Sequence, residues 1–193
     1  MTISQVVEKL FPEESARQYL IFLAVLFVAA FLGGALVRDP AVMELVKKLV
    51  EQIKAPVAEM AGGVFFLNLL ATNIIVTLTI MFLGVIGGVI PVFLVIMNGL
   101  VSGMICRYVL ESEGARQVAI DMFSQVLFGI PAFLVVAAYG FWLGVGAIRR
   151  LRGTEEQTIG ELSRIALRRY FTLVFPLLIA SAAVETSMVL VGG

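Results

Sequence analysis

The sequence predicts an all-α, polytopic membrane helical bundle of about five transmembrane spans, with broken or kinked helices plus amphipathic interfacial helices. The 193 residues are 60% hydrophobic and 15% charged, with a mean hydropathy of +1.02. A soluble domain of this composition would expose large apolar patches. The stretch Met60–Cys106 has no charged side chain, and as a single helix it would measure about 70 Å, against a bilayer core of roughly 30 Å. It must therefore fold back, and we expect the rest of the chain to be arranged around it.

The composition argues against several classes of function. Lys and Arg total 14, Asp and Glu total 14, and no basic run exceeds two residues, so nucleic-acid binding has no electrostatic support. The chain has no His and a single Cys106, which removes the usual zinc ligands and the commonest general base. We expect no enzyme activity, metal or other cofactor. The expected location is the cell membrane, with the lipid bilayer, further copies of the chain or other membrane proteins as partners.

Turn and capping signals place the elements. The three glycines and the proline of Gly84–Pro91 mark the reversal between the second and third spans, and Gly129–Pro131 interrupts the fourth. Asp39-Pro40 predicts the start of an amphipathic helix, Thr154–Gln157 resembles a capping box, and Glu111–Asp121 reads as a short polar loop. The predicted segments are an interfacial N-terminal helix (1–17), span one (18–37), the amphipathic helix (40–58), span two (63–83), span three (89–110), span four (122–148), a cytoplasmic helix (154–168) and span five (170–190).

The arginine distribution predicts the orientation. Six Arg and three Glu lie between Arg149 and Arg169, close to the ends of two spans. Because short loops rich in Lys and Arg face the cytoplasm, we place this loop inside, which puts the N-terminus inside and the C-terminus outside.

Small residues predict close helix packing and suggest a repeat. The glycine pairs 84/88, 99/103 and 140/144 have the spacing that lets helices approach closely. Ile90–Gly103 and Ile130–Gly144 both read Ile-Pro-x-Phe-Leu-Val, then a polar residue, then Gly-x-x-x-Gly. This similarity is either an inverted duplication, as in secondary transporters, or chance agreement between two apolar helices.

Glu185 is the most informative polar residue. A carboxylate at the bilayer centre costs about 3 kcal/mol, so Glu185 must face protein or water, and Arg107 is its nearest expected partner. Neighbouring polar residues should converge near it as a polar cavity or a hydrogen-bonded staple, and the mid-membrane amides bond between helices or line a path. The predicted intramembrane polar cluster comprises Asn68, Thr72, Asn73, Asn98, Arg107, Gln125 and Glu185.

Several of these stretches together resemble the stage II sporulation protein M family. The resemblance rests on the order of Phe66–Asn73, Asn98–Gly103, Ile130–Ala132 and Ala182–Thr186, and covers about residues 60–190. It implies an integral membrane protein that takes part in membrane remodelling with protein partners. Relatives usually carry a Pro-His-Gly triplet and a Glu in the fourth span. Here Ser124-Gln125-Val126 and Gly129 stand in those places.

Two functional hypotheses follow. The first is a non-enzymatic membrane interaction or remodelling component that self-associates through its small-residue faces. The alternative is a small permease or channel for an ion or small solute, lined by Asn73, Asn98 and Glu185.

Overall fold

The computed structural model describes residues 13–54 and 62–192, apart from the side chains of residues 53, 54, 121 and 189–192. All the elements in these residues are helical, and five helical runs are long and apolar enough to cross a bilayer. The predicted all-α membrane bundle is confirmed. In chain order the elements are α1 (Glu14–Ala35), α2 (Pro40–Lys54), α3 (Gly62–Leu83), α4 (Val89–Ser112), α5 (Ala115–Ser124), the π-helical segment π1 (Gln125–Gly129), α6 (Ile130–Leu151), α7 (Ile159–Arg169), the π-helical segment π2 (Tyr170–Val174) and α8 (Phe175–Gly192).

The central helix of the bundle is α6. In the most apolar stretch of the span that contains α6, half of the residues are buried. The corresponding fractions are 17% for α3 and 22% for α4. Residues of α6 belong to both hydrophobic clusters, and α1, α3, α4 and α7 all contact it. The expectation that the chain is arranged around Met60–Cys106 is therefore wrong, because uniform hydropathy does not distinguish a lipid-facing helix from a buried one.

Glycines allow the helices to approach at backbone distance. A Cβ atom on Gly103 of α4 would overlap the carbonyl oxygen of Phe31 in α1, and one on Gly84 would overlap the backbone of Gly140 in α6. Gly144 meets the turn between α3 and α4 in the same way. In that turn Gly88 has a φ of 74°, a left-handed conformation that glycine adopts at little cost. The predicted tight packing of the glycine pairs is confirmed.

These contacts also show which elements lie together at one end of the bundle. Because Gly144 packs against the turn between α3 and α4, this turn lies at the same end as the C-terminus of α6 and the loop before α7. The last turn of α6, that loop and α7 together contain the six arginines from Arg149 to Arg169, and we call this the arginine-rich end. Its placement in the cytoplasm stays a prediction.

Two prolines each follow a π-helical segment at the same distance. π1 ends two residues before Pro131 and π2 ends two residues before Pro176. A proline within a helix lacks an N–H donor and its ring collides with the carbonyl four residues earlier. The wider π turn bonds i to i+5, as between the N–H of Ile130 and the carbonyl of Gln125, so the helices continue through both prolines.

The helix caps confirm one prediction and correct another. Asp39 Oδ1 accepts the backbone N–H of Ala41 at 2.8 Å, and α2 begins at Pro40 as predicted. The capping box at Thr154 is wrong, because Thr158 and Glu161 form the reciprocal bonds that begin α7.

Two further expectations concern chain segments. The predicted polar loop 111–121 is wrong, because α4 runs to Ser112 and α5 begins at Ala115, with Gly114 at a φ of 88° providing the turn. The interfacial helix predicted over residues 1–17 lies mostly outside the described residues, although residues 14–17 form the first turn of α1. The end of the amphipathic helix at 55–58 also lies outside them.

The glycine contacts generate a stability prediction. Gly103→Ala should destabilise the protein by about 1–3 kcal/mol, because overpacking forces α1 and α4 apart. Gly63→Ala is the matched control, since a Cβ there meets nothing within 4 Å. Thermal unfolding in detergent measures both variants. Equal melting temperatures for the two variants would contradict the backbone contact between α1 and α4.

Candidate functional site

Glu185 is bonded to two buried serine side chains, and we call Ser124, Ser181 and Glu185 the Glu185 cluster. Ser181 Oγ donates to Glu185 Oε1 at 2.9 Å, and Ser124 Oγ lies 3.1 Å from the same oxygen. Ser124 Oγ also lies 3.1 Å from the carbonyl oxygen of Ser181. The two serines are 1% and 2% exposed, so these bonds are formed away from solvent, where an unbonded carboxylate is costly.

Local helix geometry positions this cluster. Ser181 and Glu185 are four residues apart on α8, so their side chains lie on the same face, one turn from each other. Ser124 is the last residue of α5, immediately before π1. The contact therefore joins the fourth span to the fifth at the point where the fourth departs from α-helical geometry.

Arg107 does not pair with Glu185. Its Nη2 donates to Glu111 Oε1 at 2.6 Å, and its Nη1 donates to the carbonyl oxygen of Ala35 at 3.2 Å. Ala35 is the last residue of α1, and carbonyl groups at a helix C-terminus carry partial negative charge. Among the described residues, the buried Nε of Arg107 has no hydrogen-bond partner. Arg107 thus ties α4 to the end of α1.

The other predicted residues lie in separate places. Asn68 and Thr72 are exposed on α3, and Gln125 is exposed on π1. Asn98 is exposed on α4, with its Oδ1 3.5 Å from Ser102 Oγ. Asn73 is half-buried, and its carbonyl oxygen accepts from Thr77 Oγ1 at 2.6 Å.

A second polar cluster has no counterpart in the sequence analysis. Tyr139 Oη donates to Glu13 Oε2 at 2.9 Å, and Arg169 Nη2 lies 3.4 Å from Glu13 Oε1. Tyr139 is 1% exposed. We call Glu13, Tyr139 and Arg169 the Glu13 cluster, which joins the start of α1 to α6 and to the end of α7. In the sequence, the one sign of the Glu13 cluster is that Glu13 and Arg169 each lie beside an apolar stretch.

π2 makes a further connection between spans. Tyr170, its first residue, lies with its Oη 2.9 Å from Thr77 Oγ1 of α3, and both side chains are buried. The same Tyr170 belongs to the main hydrophobic cluster. Each π segment therefore lies beside a buried hydroxyl contact between spans, as π1 does at Ser124.

The arrangement suits holding helices together. Each cluster combines one carboxylate with hydroxyl or guanidinium donors, at least one of which comes from another helix. Charge-assisted hydrogen bonds of this kind are stronger than neutral ones. In the described part of the chain, no group of three or more His, Cys, Asp or Glu residues lies together as a metal site would require.

The fold and these contacts define a multipass α-helical integral membrane protein. Within that class the chain belongs to the stage II sporulation protein M family, whose family model matches residues 20–188. This confirms the family resemblance seen in the sequence. Comparisons with curated proteins and with solved structures found no match.

One departure from the family pattern lies beside the Glu185 cluster. Gly129 is one of the positions at which the sequence departs from the resemblance, and a Cβ placed on it would lie 3.7 Å from Ser181 Oγ. Gln125, in the triplet that also departs from it, is exposed. Position 129 therefore borders the cluster, and Ser124, the first residue of the triplet Ser124-Gln125-Val126, belongs to it.

A double-mutant cycle tests the Glu185 cluster. We expect Ser124→Ala and Glu185→Gln to be coupled by about 0.5–2 kcal/mol in the free energy of unfolding, because the two side chains share a hydrogen bond. The control pairs Glu185→Gln with Ser187→Ala, since Ser187 is exposed on the same helix and donates to the Ala183 carbonyl. Coupling as large in the control pair would show that the effect is not specific to the cluster.

Proposed function

We propose that the protein is a non-enzymatic membrane component, an interaction or remodelling subunit that self-associates through the outward face of α3. Membership of the stage II sporulation protein M family supports a membrane role. The observation that supports self-association is a stripe of polar and apolar side chains exposed along α3. We call it the α3 stripe, and it comprises Asn68, Thr72, Ile75, Thr79 and Phe82.

The spacing of the α3 stripe is that of a helix–helix seam. Its members follow one another at intervals of four, three, four and three residues, the repeat of a left-handed helix pair. All five side chains are exposed, with Ile75 at 65%. Hydroxyl and amide groups that face hydrocarbon gain about 0.6 to 2 kcal/mol when they bond to a neighbouring helix.

The glycine faces are not available for this purpose. Gly34, Gly99 and Gly103 are occupied by contacts between α1 and α4, and Gly84, Gly140 and Gly144 by contacts around α6. Self-association through those small-residue faces would require the bundle to open. A second copy of the chain is the occupant we propose for the α3 stripe, because one helix face repeated about a two-fold axis is self-complementary.

The permease alternative gains no support from the positions of its proposed lining residues. Asn98 is exposed on α4, Asn73 is half-buried on α3, and Glu185 is hydrogen-bonded to Ser124 and Ser181 where the fourth and fifth spans meet. Solute flux through liposomes that contain only this protein would nevertheless overturn the proposal.

Cysteine cross-linking tests self-association. In a Cys106→Ala background, Ile75→Cys should form disulfide-linked dimers when membranes are oxidised, because the proposed seam brings the two copies of position 75 together. Val25→Cys on α1 is the matched control, since both side chains are 65% exposed.

A variant of the α3 stripe makes the test decisive. Replacing Thr72 and Thr79 together with Leu should reduce the Ile75→Cys dimer severalfold, because two interhelical hydrogen bonds of about 0.6 kcal/mol each are lost. An interface at the α3 stripe would be contradicted if Val25→Cys cross-linked as strongly as Ile75→Cys, or if neither variant formed dimers.

A further inference from the structure

An apolar groove lies on the outward surface of the bundle between α4 and α6. Its volume is about 310 Å³, and we call it the α4–α6 groove. Its wall on α4 follows one helix face, and its exposed members Val89 and Phe93 are 70% and 58% accessible. The lining residues are Gly87, Val89, Val92, Phe93, Ile96 and Phe141.

The groove runs along α4, and Gly87 is its lining residue nearest the arginine-rich end. Val89 and Ile96 are separated by two helical turns, which corresponds to about 10 Å. At the end of the groove nearest the arginine-rich end, Gly87 adopts a φ of 67°. A Cβ placed on Gly87 would lie 3.7 Å from Ile148 Cδ1. The groove is therefore continuous with the surface of α6 at Ile148. Its direction is that of a lipid acyl chain.

Two arginines continue this line. Phe141 and Ile148 are seven residues apart, so they lie on one face of α6. Arg152 directly follows the end of α6, and its backbone N–H donates to the Ile148 carbonyl oxygen. Arg149 follows Ile148 directly, and both Arg149 and Arg152 are exposed. Arg152 lies about 6 Å beyond Ile148 along the helix axis, the direction in which a lipid headgroup would extend from a chain in the groove.

Among the described residues, the side chains of Arg149 and Arg152 are exposed and form no ion pair. Arg150 is used within the loop, where its Nη1 donates to the carbonyl oxygens of Glu155 and Glu156. The Glu161 carboxylate accepts from the backbone and hydroxyl of Thr158. Guanidinium groups bind phosphate oxygens through paired hydrogen bonds, and basic sites beside membrane helices bind anionic headgroups.

We propose that the α4–α6 groove, together with Arg149 and Arg152, binds an anionic phospholipid. One acyl chain lies against Val89, Val92 and Ile96, and the phosphate group is held by the two guanidinium groups. The site is distinct from the α3 stripe, so it does not depend on self-association.

Lipid binding to the purified protein tests this site. Native mass spectrometry should show that phosphatidylglycerol binds more tightly than phosphatidylcholine with the same acyl chains. Arg149→Gln/Arg152→Gln should weaken phosphatidylglycerol binding roughly tenfold or more, because each basic residue near the surface contributes attraction to an anionic lipid. Arg164→Gln/Arg168→Gln, which removes the same charge from exposed positions of α7, should retain the preference.

A second variant tests the groove itself. Val89→Trp should block the acyl-chain position and reduce phosphatidylglycerol binding without lowering the melting temperature, because Val89 is exposed. Ile179→Trp, at an exposed position of α8, should have no effect on binding. Equal binding of the two lipids to the unaltered protein, or equal losses in the two arginine pairs, would overturn the proposal.

Discussion

The close approach of backbones at glycine is the constraint on which the bundle depends. α6 can be enclosed by its neighbours only because Gly144 meets the α3–α4 turn, and Gly84 meets Gly140, at backbone distances that leave no room for a side chain on Gly144 or Gly84. Lipid tails are as apolar as the helix surfaces, so van der Waals contact and hydrogen bonds replace the hydrophobic effect in holding the spans together. The same glycines fix which helix faces are left for lipid and for partners.

Buried polar contacts make this packing specific to one arrangement of the helices. The Glu185 cluster and the Glu13 cluster each join elements that are far apart in sequence, and each includes a carboxylate that is costly to bury alone. The first connects the fourth and fifth spans, and the second connects the start of α1 with α6 and with the end of α7. A helix that slid or rotated would leave a carboxylate without its donors, so the clusters penalise alternative registers.

Sequence reasoning recovered what depends on local chemistry. Five candidate spans, the Asp39 cap and the glycine contacts follow from hydropathy, capping and residue size. The Thr158–Glu161 capping box has the same Thr-x-x-Glu/Gln pattern as Thr154–Gln157, so the pattern alone does not identify which of the two begins α7. The side of each helix that faces the bundle cannot be predicted in the same way, because α1, α3, α4 and α8 have little amphipathicity. The exposure of Asn98 and the contact of Tyr139 with Glu13 depend on packing between distant segments.

The two π segments have a consequence for helical phase. A π turn accommodates an extra residue within a helix, and one residue corresponds to about 100° of rotation in a regular α-helix. Faces counted across Gln125–Gly129 or Tyr170–Val174 with a constant period therefore drift out of step with the real surface. Ser124 and Arg169 stand ahead of such a phase change, whereas Tyr139 and Ser181 stand after one. The fourth and fifth spans are each two helical surfaces placed end to end, and each half is free to match a different neighbour.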